Sequence, residues 1–337
     1  MRQEFGSIVL AAYLPDPELF RRQLESIRAQ TVTEWECVIS VDGDPDPVRS
    51  LVAEITRDDP RFRVIGDGDR RGFYLNFEYG IRGVDPRAAW IALSDQDDEW
   101  YPHKLETLLP HLDRVDLVSG QARLVEQPSG RVLGETSRHD HGLVSNVLNN
   151  QFSGSAFAFR TEILSRALPF PVASTRTAAH DHWLAVVAGA GAGTRMLSDV
   201  LQDYVQHAGN VFGDPSGMTG PLRPLQSVRT VMTLAQKYEG ARTPAALVRM
   251  VFWLNVGWRQ LITDVLLERT GTGSASAEEL IPYFSARRRF RPLRRLLRDA
   301  VARGEVVGRF RIEYLASWFA GAAVRGRTLV RRRVQSF

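Results

Sequence analysis

The chain opens on an apolar run with β-branched members, Ser7 to Tyr13, which predicts a strand. Behind it Asp16 offers a helix N-cap and Pro17 a first-turn residue, and Phe20, Leu24 and Ile27 recur at helical spacing. The alternation then repeats. "WECVISVDG" predicts a second strand that ends in acid and glycine, and "DPVRSLVAEI" a second helix with Asp46 and Pro47 as its start signal. "RFRVIGDGD" predicts a third strand, "YLNFEYGIRGV" a short helix, "AAWIALSDQDD" a fourth strand and "YPHKLETLLPHL" another helix. Strands alternating with short helices predict parallel βαβ units with helices on both faces of the sheet.

After residue 113 the pattern changes. "DLVSGQARLVEQPSGRVLGE" predicts a hairpin turning at Pro128, Ser129 and Gly130; "FSGSAFAFR" predicts a small-residue strand, and "HDHWLAVVAGAGAG" a helix ending in glycines. "GDPSGMTGPL" marks a domain edge, giving a front domain over 1–217 and a rear region over 218–337. The rear is helical in pattern. "LVRMVFWLNVGWRQLITDVLLERT" carries a broad apolar face, Ser276 and Glu279 form a capping-box pair, and "ARRRFRPLRRLLRDAVARGE" is a basic amphipathic segment. No repeat of fixed period is present.

In open parallel sheets ligands bind beyond the carboxyl ends of the strands. Asp42, Asp67 and Asp95 all fall at such ends. The densest feature is "ALSDQDDEW", where Asp95, Asp97, Asp98 and Glu99 follow directly on an apolar run. Clustered carboxylates repel one another, so a metal ion, a basic patch or bulk water must face them. A calcium loop of the EF-hand type fails, because Trp100 stands where that loop needs glycine and a strand precedes it. A dinucleotide fingerprint fails too: "GDGDRRG" at 66–72 is one residue too long and carries two aspartates that would repel a pyrophosphate. A plain polar turn remains open. So does an Asp-x-Asp pair holding Mg²⁺ or Mn²⁺, hard ions that take carboxylate oxygens together with substrate phosphates.

Read in order, "SIVLAAYLPDPELFRRQLESIRAQTVTEWECVISVDG", "RRGFYLNFEYGI", "WIALSDQDDEWYPHKLE", "SGSAFAF", "AHDHWLA" and "DYVQHAGNVFG" resemble family 2 glycosyltransferases of the GT-A fold, over about residues 6–213. The combination "SDQDDEW", "HDHW" and "QHAGN" is most similar to rhamnosyltransferase-type members of bacterial envelope polysaccharide pathways. The resemblance implies an α/β fold: a GT-A type, Rossmann-like, mostly parallel sheet with helices on both faces, here followed by a helical C-terminal region. It implies inverting transfer of a sugar from a nucleotide-diphosphate donor, dTDP- or UDP-linked, to a glycan hydroxyl, with Mg²⁺ or Mn²⁺ as cofactor. Asp42, Asp67, Asn76 and Asp95 then face the nucleotide, Asp97 and Asp95 hold the metal, and His207 reaches the metal or diphosphate from a late loop. Asp98 is a third carboxylate whose part stays open. Asp181 becomes the general base, although its place at a helix start is expected to lower its pKa. Gly154, Ser155, His180 and Trp183 fall on the acceptor side. Each has a plainer reading as a turn, cap or core residue. Two departures from the family's usual form are His180 before Asp181, where an acid is common, and Asp44 in a position usually rich in serine. Two rival classes remain: a non-catalytic scaffold that binds nucleotide or sugar, and a hydrolase working with paired carboxylates.

Composition narrows the rest. The 337 residues are 44% hydrophobic and 24% charged, ordinary for a globular chain. Cys37 is the single cysteine, which excludes a disulfide framework within the chain and fits a reducing compartment. No run approaches the roughly 20 apolar residues of a membrane span and no leader pattern is visible, so the expected place is the cytoplasm, at the inner face of the plasma membrane. The net charge of +4 hides a division, since residues 221–337 alone hold 22 Lys and Arg against 8 Asp and Glu. That rear predicts contact with an anionic membrane surface or a lipid-linked glycan acceptor, with a homodimer interface as the other option. No nucleic-acid motif accompanies it. Five of the seven histidines lie between His139 and His207, but i, i+2 pairs at a helix start and the lack of His-Glu-x-x-His argue against zinc.

Overall fold

The computed structural model describes residues 4–172, 178–206, 224–271 and 274–324. The chain divides into two compact units. The front unit comprises Met1–Gly142, Asn150–Phe170 and His180–Gly213; the rear unit comprises Leu143–Asn149, Pro171–Ala179 and Asp214–Phe337. The chain therefore passes between units five times, and the rear unit takes in two short pieces of the front stretch.

The front unit runs β1 (Gly6–Ala12), α1 (Pro17–Arg28), β2 (Trp35–Val41), α2 (Asp46–Thr56), β3 (Phe62–Ile65), α3 (Phe73–Arg82), β4 (Trp90–Ser94), β5 (Glu99–Trp100), α4 (Lys104–Leu108), β6 (Leu117–Glu126) and β7 (Arg131–Glu135). After α5 (Leu143–Leu148), which belongs to the rear unit, come β8 (Phe157–Arg160), α6 (Leu164–Ala167), α7 (His180–Gly189) and β9 (Thr194–Gln206). Among the described residues these strands form one sheet in the order β3-β2-β1-β4-β8-β6-β9-β5, with β7 paired to β6. β3, β2, β1 and β4 run parallel. β8 lies antiparallel between β4 and β6, and β6 is parallel to β9. The α/β class and the mostly parallel sheet are as expected.

Local chemistry explains the framework. The Asp16 carboxylate accepts the amides of Glu18 and Leu19 at 3.0 and 3.1 Å, satisfying two orphan donors of α1. Phe20, Leu24 and Ile27 face the core with Ile8, Leu10, Cys37 and Ile39. Each such fully buried side chain contributes roughly 1.5–3 kcal/mol relative to exposure. Burial pushes the Cys37 thiol far up, so it stays an inert apolar filler. α2 starts at Asp46 with Pro45 as its N-cap and no side-chain cap; Asp44, just ahead, accepts the Asp46 amide at 3.1 Å. "FSGSAFAFR" gives a strand only from Phe157, because Gly154–Ala156 turn as a short 3₁₀ segment.

The rear unit holds α5, α8 (Pro224–Glu239), α9 (Pro244–Phe252), a π-turn (Trp253–Gly257), α10 (Trp258–Thr270), α11 (Ala275–Glu279), α12 (Phe290–Ala302) and α13 (Gly308–Val324). α5 is fastened there by three bonds. Arg259 Nε donates to Leu148 O at 2.8 Å, Ser145 Oγ to Glu305 Oε2 at 2.9 Å, and Asn149 Nδ2 to Glu305 O at 3.1 Å. The expected capping box is not formed: Ser274 occupies the N-cap of α11 and Ser276 lies inside the helix. No helix among the described residues is long and apolar enough to cross a membrane. The basic closing segment "VRRRVQSF" lies outside the described residues.

Candidate active site

The carboxyl ends of β1, β2, β3 and β4 lie along one rim, and the loops that leave them are bound to each other. Gln96 accepts the Tyr13 amide at 2.7 Å and donates to the Tyr13 carbonyl at 3.2 Å, clasping the loop after β4 to the loop after β1. Arg70 lies over the Tyr13 ring, 4.1 Å from its centre. Asp42, ending β2, is buried and accepts the Arg71 amide at 2.5 Å and the Gly72 amide at 3.0 Å, which holds the loop before α3. Asp67 is half-exposed and ion-paired to Arg71, whose hydrogen bonds pull its pKa down to about 2. Asn76 is not on the rim. It is fully buried, donates to the Ser40 carbonyl at 2.8 Å and accepts the Ser40 hydroxyl at 2.6 Å, so it fixes α3 against β2.

The acidic loop after β4 is the centre of the arrangement. Burial first, and then the charges of Asp98, Asp97 and Asp181, raise the Asp95 pKa well above the usual carboxylate range. Asp181, 86 residues away in sequence, thus shares a field with the Asp-x-Asp pair. Asp98 is buried beneath, accepting the Val205 amide at 3.2 Å and Gln202 Nε2 at 3.3 Å; its pKa also rises, through burial and then Asp97.

The cation below this cluster is Lys104, which the sequence reading did not single out. Its ammonium is fully buried, donates to Ser155 O at 2.5 Å and Gln202 Oε1 at 2.6 Å, and sits 3.7 Å from the centre of the Trp100 ring. Burial drives its pKa well down, opposed by Asp98 and Asp95. Gln202 Nε2 also donates to the Ser155 hydroxyl at 2.9 Å. Ser155 therefore serves as a support of this buried network, not as an open acceptor surface. The signal for Lys104 was its place four residues after Trp100 on a short amphipathic helix, too common a pattern to stand out.

Asp181 lies in the first turn of α7 and accepts the His182 amide at 2.6 Å. Its pKa is raised to about 6: burial dominates, and the hydrogen bonds from His182 and Asn150 and the nearby charge of Arg138 only partly offset it. The sequence reading expected a lowered value from the helix terminus; desolvation of the ionised form outweighs that dipole here. His180 stacks on Phe77 with ring centres 3.9 Å apart, and burial lowers its pKa to about 3, so the imidazole is neutral at ordinary pH. It also fills the space beside Gly154: a Cβ there would stand 2.5 Å from His180 Nε2. Gly154 therefore makes room for the histidine. Trp183 is fully buried, donating to Ala167 O at 2.9 Å, and belongs to the core. His207 lies outside the described residues.

Among the described residues no three His, Cys, Asp or Glu side chains form a ready metal cage. The donors still suit a hard divalent ion. Mg²⁺ and Mn²⁺ commonly take one or two carboxylates and complete their shell with water and phosphate oxygens. Asp95 and Asp97 are carboxylates of that kind, and the like charges of this cluster outweigh the charge of Lys104 in setting the direction in which Asp95 and Asp98 shift.

Residues 7–166 match the family model described as Glycosyl transferase family 2. That stretch, a little under half of the chain, is similar to family 2 glycosyltransferases, and the fold of the front unit is of the GT-A type. Among solved structures, S. aureus TarS 1-349 in complex with UDP-GlcNAc is similar in fold at a TM-score of 0.50 and 14% identity, covering 94% of this chain and 92% of that one. Two curated relatives are the Sinorhizobium fredii "Uncharacterized protein y4gI", 32% identical over 108 residues, and the Rhizobium meliloti "Succinoglycan biosynthesis protein ExoW", 27% identical over 116 residues. These matches cover 32% and 33% of this chain and only 12% and 34% of the respective relatives.

Proposed function

We propose that the protein is an inverting, metal-dependent glycosyltransferase that moves a sugar from a nucleotide diphosphate to a glycan hydroxyl during cell-surface polysaccharide synthesis. What supports the reading is the electrostatic influence of Asp181 on Asp95, which stands in the acidic loop leaving the carboxyl end of β4 in the region similar to family 2 glycosyltransferases. Asp97 and Asp95 would hold Mg²⁺ or Mn²⁺, which supplies positive charge against the donor's diphosphate. Asp42 and Asp67 line the nucleotide side of that rim through the loop they hold. Ionised Asp181 takes the proton from the acceptor hydroxyl as its oxygen attacks the anomeric carbon. One carbon–oxygen bond forms as the bond to the diphosphate breaks on the opposite face, which inverts the centre. The raised pKa of Asp181 supports a base role, because it matches proton affinity to near-neutral operation.

The name of the Rhizobium meliloti relative supports a polysaccharide pathway, and the resemblance of "SDQDDEW", "HDHW" and "QHAGN" favours rhamnose as the transferred sugar. The arginine-rich rear fits an acceptor presented at an anionic membrane face. The test is a thermal-shift series with dTDP, UDP and GDP, with and without Mn²⁺. A melting shift that requires metal and vanishes in Asp97→Ala is expected. Indifference to every nucleotide would refute the transferase reading.

A further inference from the structure

The rear unit contains a cleft of about 660 Å³ lined by α5, α11, the segment after it and α12. That size falls within the roughly 300–1,000 Å³ of ligand sites. Along one stripe of α12 stand Arg291, Arg295 and Asp299, each one turn from the next, with Arg303 following at the helix end. Asp299 is paired with Arg298 at 2.9 Å and Arg303 with Glu305 at 2.5 Å. Arg291 and Arg295 have no carboxylate partner among the described residues, so two like charges stand side by side at i, i+4 along one wall of the cleft. Such spacing is destabilising on its own account. The exposed Glu279 and the half-exposed Tyr283 line the same cleft.

We infer that this cleft binds an oligosaccharide bearing carboxylate or phosphate groups. The arginine pair matches such anions, since guanidinium forks recognise carboxylate and phosphate bidentately. Glu279 and Asp299 would repel a bare polyphosphate but accept hydrogen bonds from sugar hydroxyls, and Tyr283 offers a face for the sugar's C–H surface and a hydroxyl for its rim. A mixed set of this kind fits an acidic glycan better than a nucleotide or a simple anion. The inference rests on the transferase reading only in making that glycan the acceptor.

Calorimetric titration of the full chain tests it with oligogalacturonate and a phosphomannan oligosaccharide, against a neutral maltooligosaccharide, inorganic pyrophosphate and phosphatidylglycerol vesicles. At least one acidic oligosaccharide is expected to bind, with affinity falling tenfold or more in R291Q/R295Q, while the neutral sugar does not. Unchanged affinity in the variant, absence of binding by both acidic sugars, equal or tighter binding of pyrophosphate, or vesicle binding that falls in the variant as much as the sugar's does would overturn it. Both arginines are exposed, so the variant keeps the fold and its Mn²⁺-dependent nucleotide shift should match the parent's. A parent that shows no such shift while still binding the acidic sugar would sink the transferase reading and leave the cleft standing.

Discussion

At Asp181 function and stability oppose each other. Its carboxyl has a pKa of about 6 in the folded chain against 3.8 unfolded. The folded state therefore binds this proton more tightly, and the stability it confers is full below the unfolded value and lost as pH rises through 6. The loss is at most about 3 kcal/mol, the energy equivalent of the two-unit difference. Asp181→Asn should accordingly raise the melting temperature at pH 7.5, with the gap closing towards pH 4, while transfer drops by two or more orders of magnitude. Calorimetric melts and a radiolabelled donor assay read both. Parent activity should increase with pH through about 6. A flat profile, or Asp181→Asn that melts lower than the parent at pH 7.5, would remove the base assignment. Lys104 poses the complementary case. Lys104→Met leaves Ser155 O and Gln202 Oε1 buried without their donor and removes the cation beneath Asp95 and Asp98. Breaking a buried charged contact costs roughly 3–5 kcal/mol. A large fall in melting temperature is expected, and a Lys104→Met protein that melts like the parent would show the network to be dispensable.

Between elements, the contact of α7 with the turn before β8 decides what the sequence could and could not reveal. Strand and helix order were legible because periodicity and cap chemistry are local, as with Asp16 ahead of Phe20, Leu24 and Ile27. The resemblance places Gly154 on the acceptor side, yet the space its missing side chain leaves is filled by the imidazole of His180, 26 positions on. Asn76 looked like a ligand contact because an amide at a helix start can face either way; only the pairing of β2 with α3 shows both its groups committed to Ser40. Gln202 was missed with the whole of β9, whose residues alternate too irregularly to read as a 13-residue strand. Long-range pairing supplies these roles, and no window along the chain contains it. Gly154→Ala should cost about 1–3 kcal/mol, as overpacking does. A chemical denaturation curve measures it, and adding His180→Ala should recover part of the loss. Equal destabilisation with and without the histidine would mean that the glycine serves another purpose.

For the molecule as a whole, charge and connectivity matter most. The acidic rim lies in the front unit, and the excess of arginine lies towards the rear, where residues 221–337 hold 22 basic residues against 8 acidic ones. Attraction of the rear to anionic surfaces should weaken steeply with salt, since the screening length shrinks to about 8 Å at physiological ionic strength. Co-sedimentation with phosphatidylglycerol vesicles at 50 and 300 mM salt, taken here as roughly the range over which screening acts, checks it. Binding that ignores salt would point to apolar insertion instead.

The five passages of the chain between units have an evolutionary and practical corollary. α5 lies far upstream in sequence, yet Leu148, Ser145 and Asn149 find their partners at Arg259 and Glu305. A gene cut near residue 213 would strip Val147 and Leu148, both fully buried, of the helices around them. The two halves are sewn rather than joined end to end, so neither could be borrowed as a cassette without its companion.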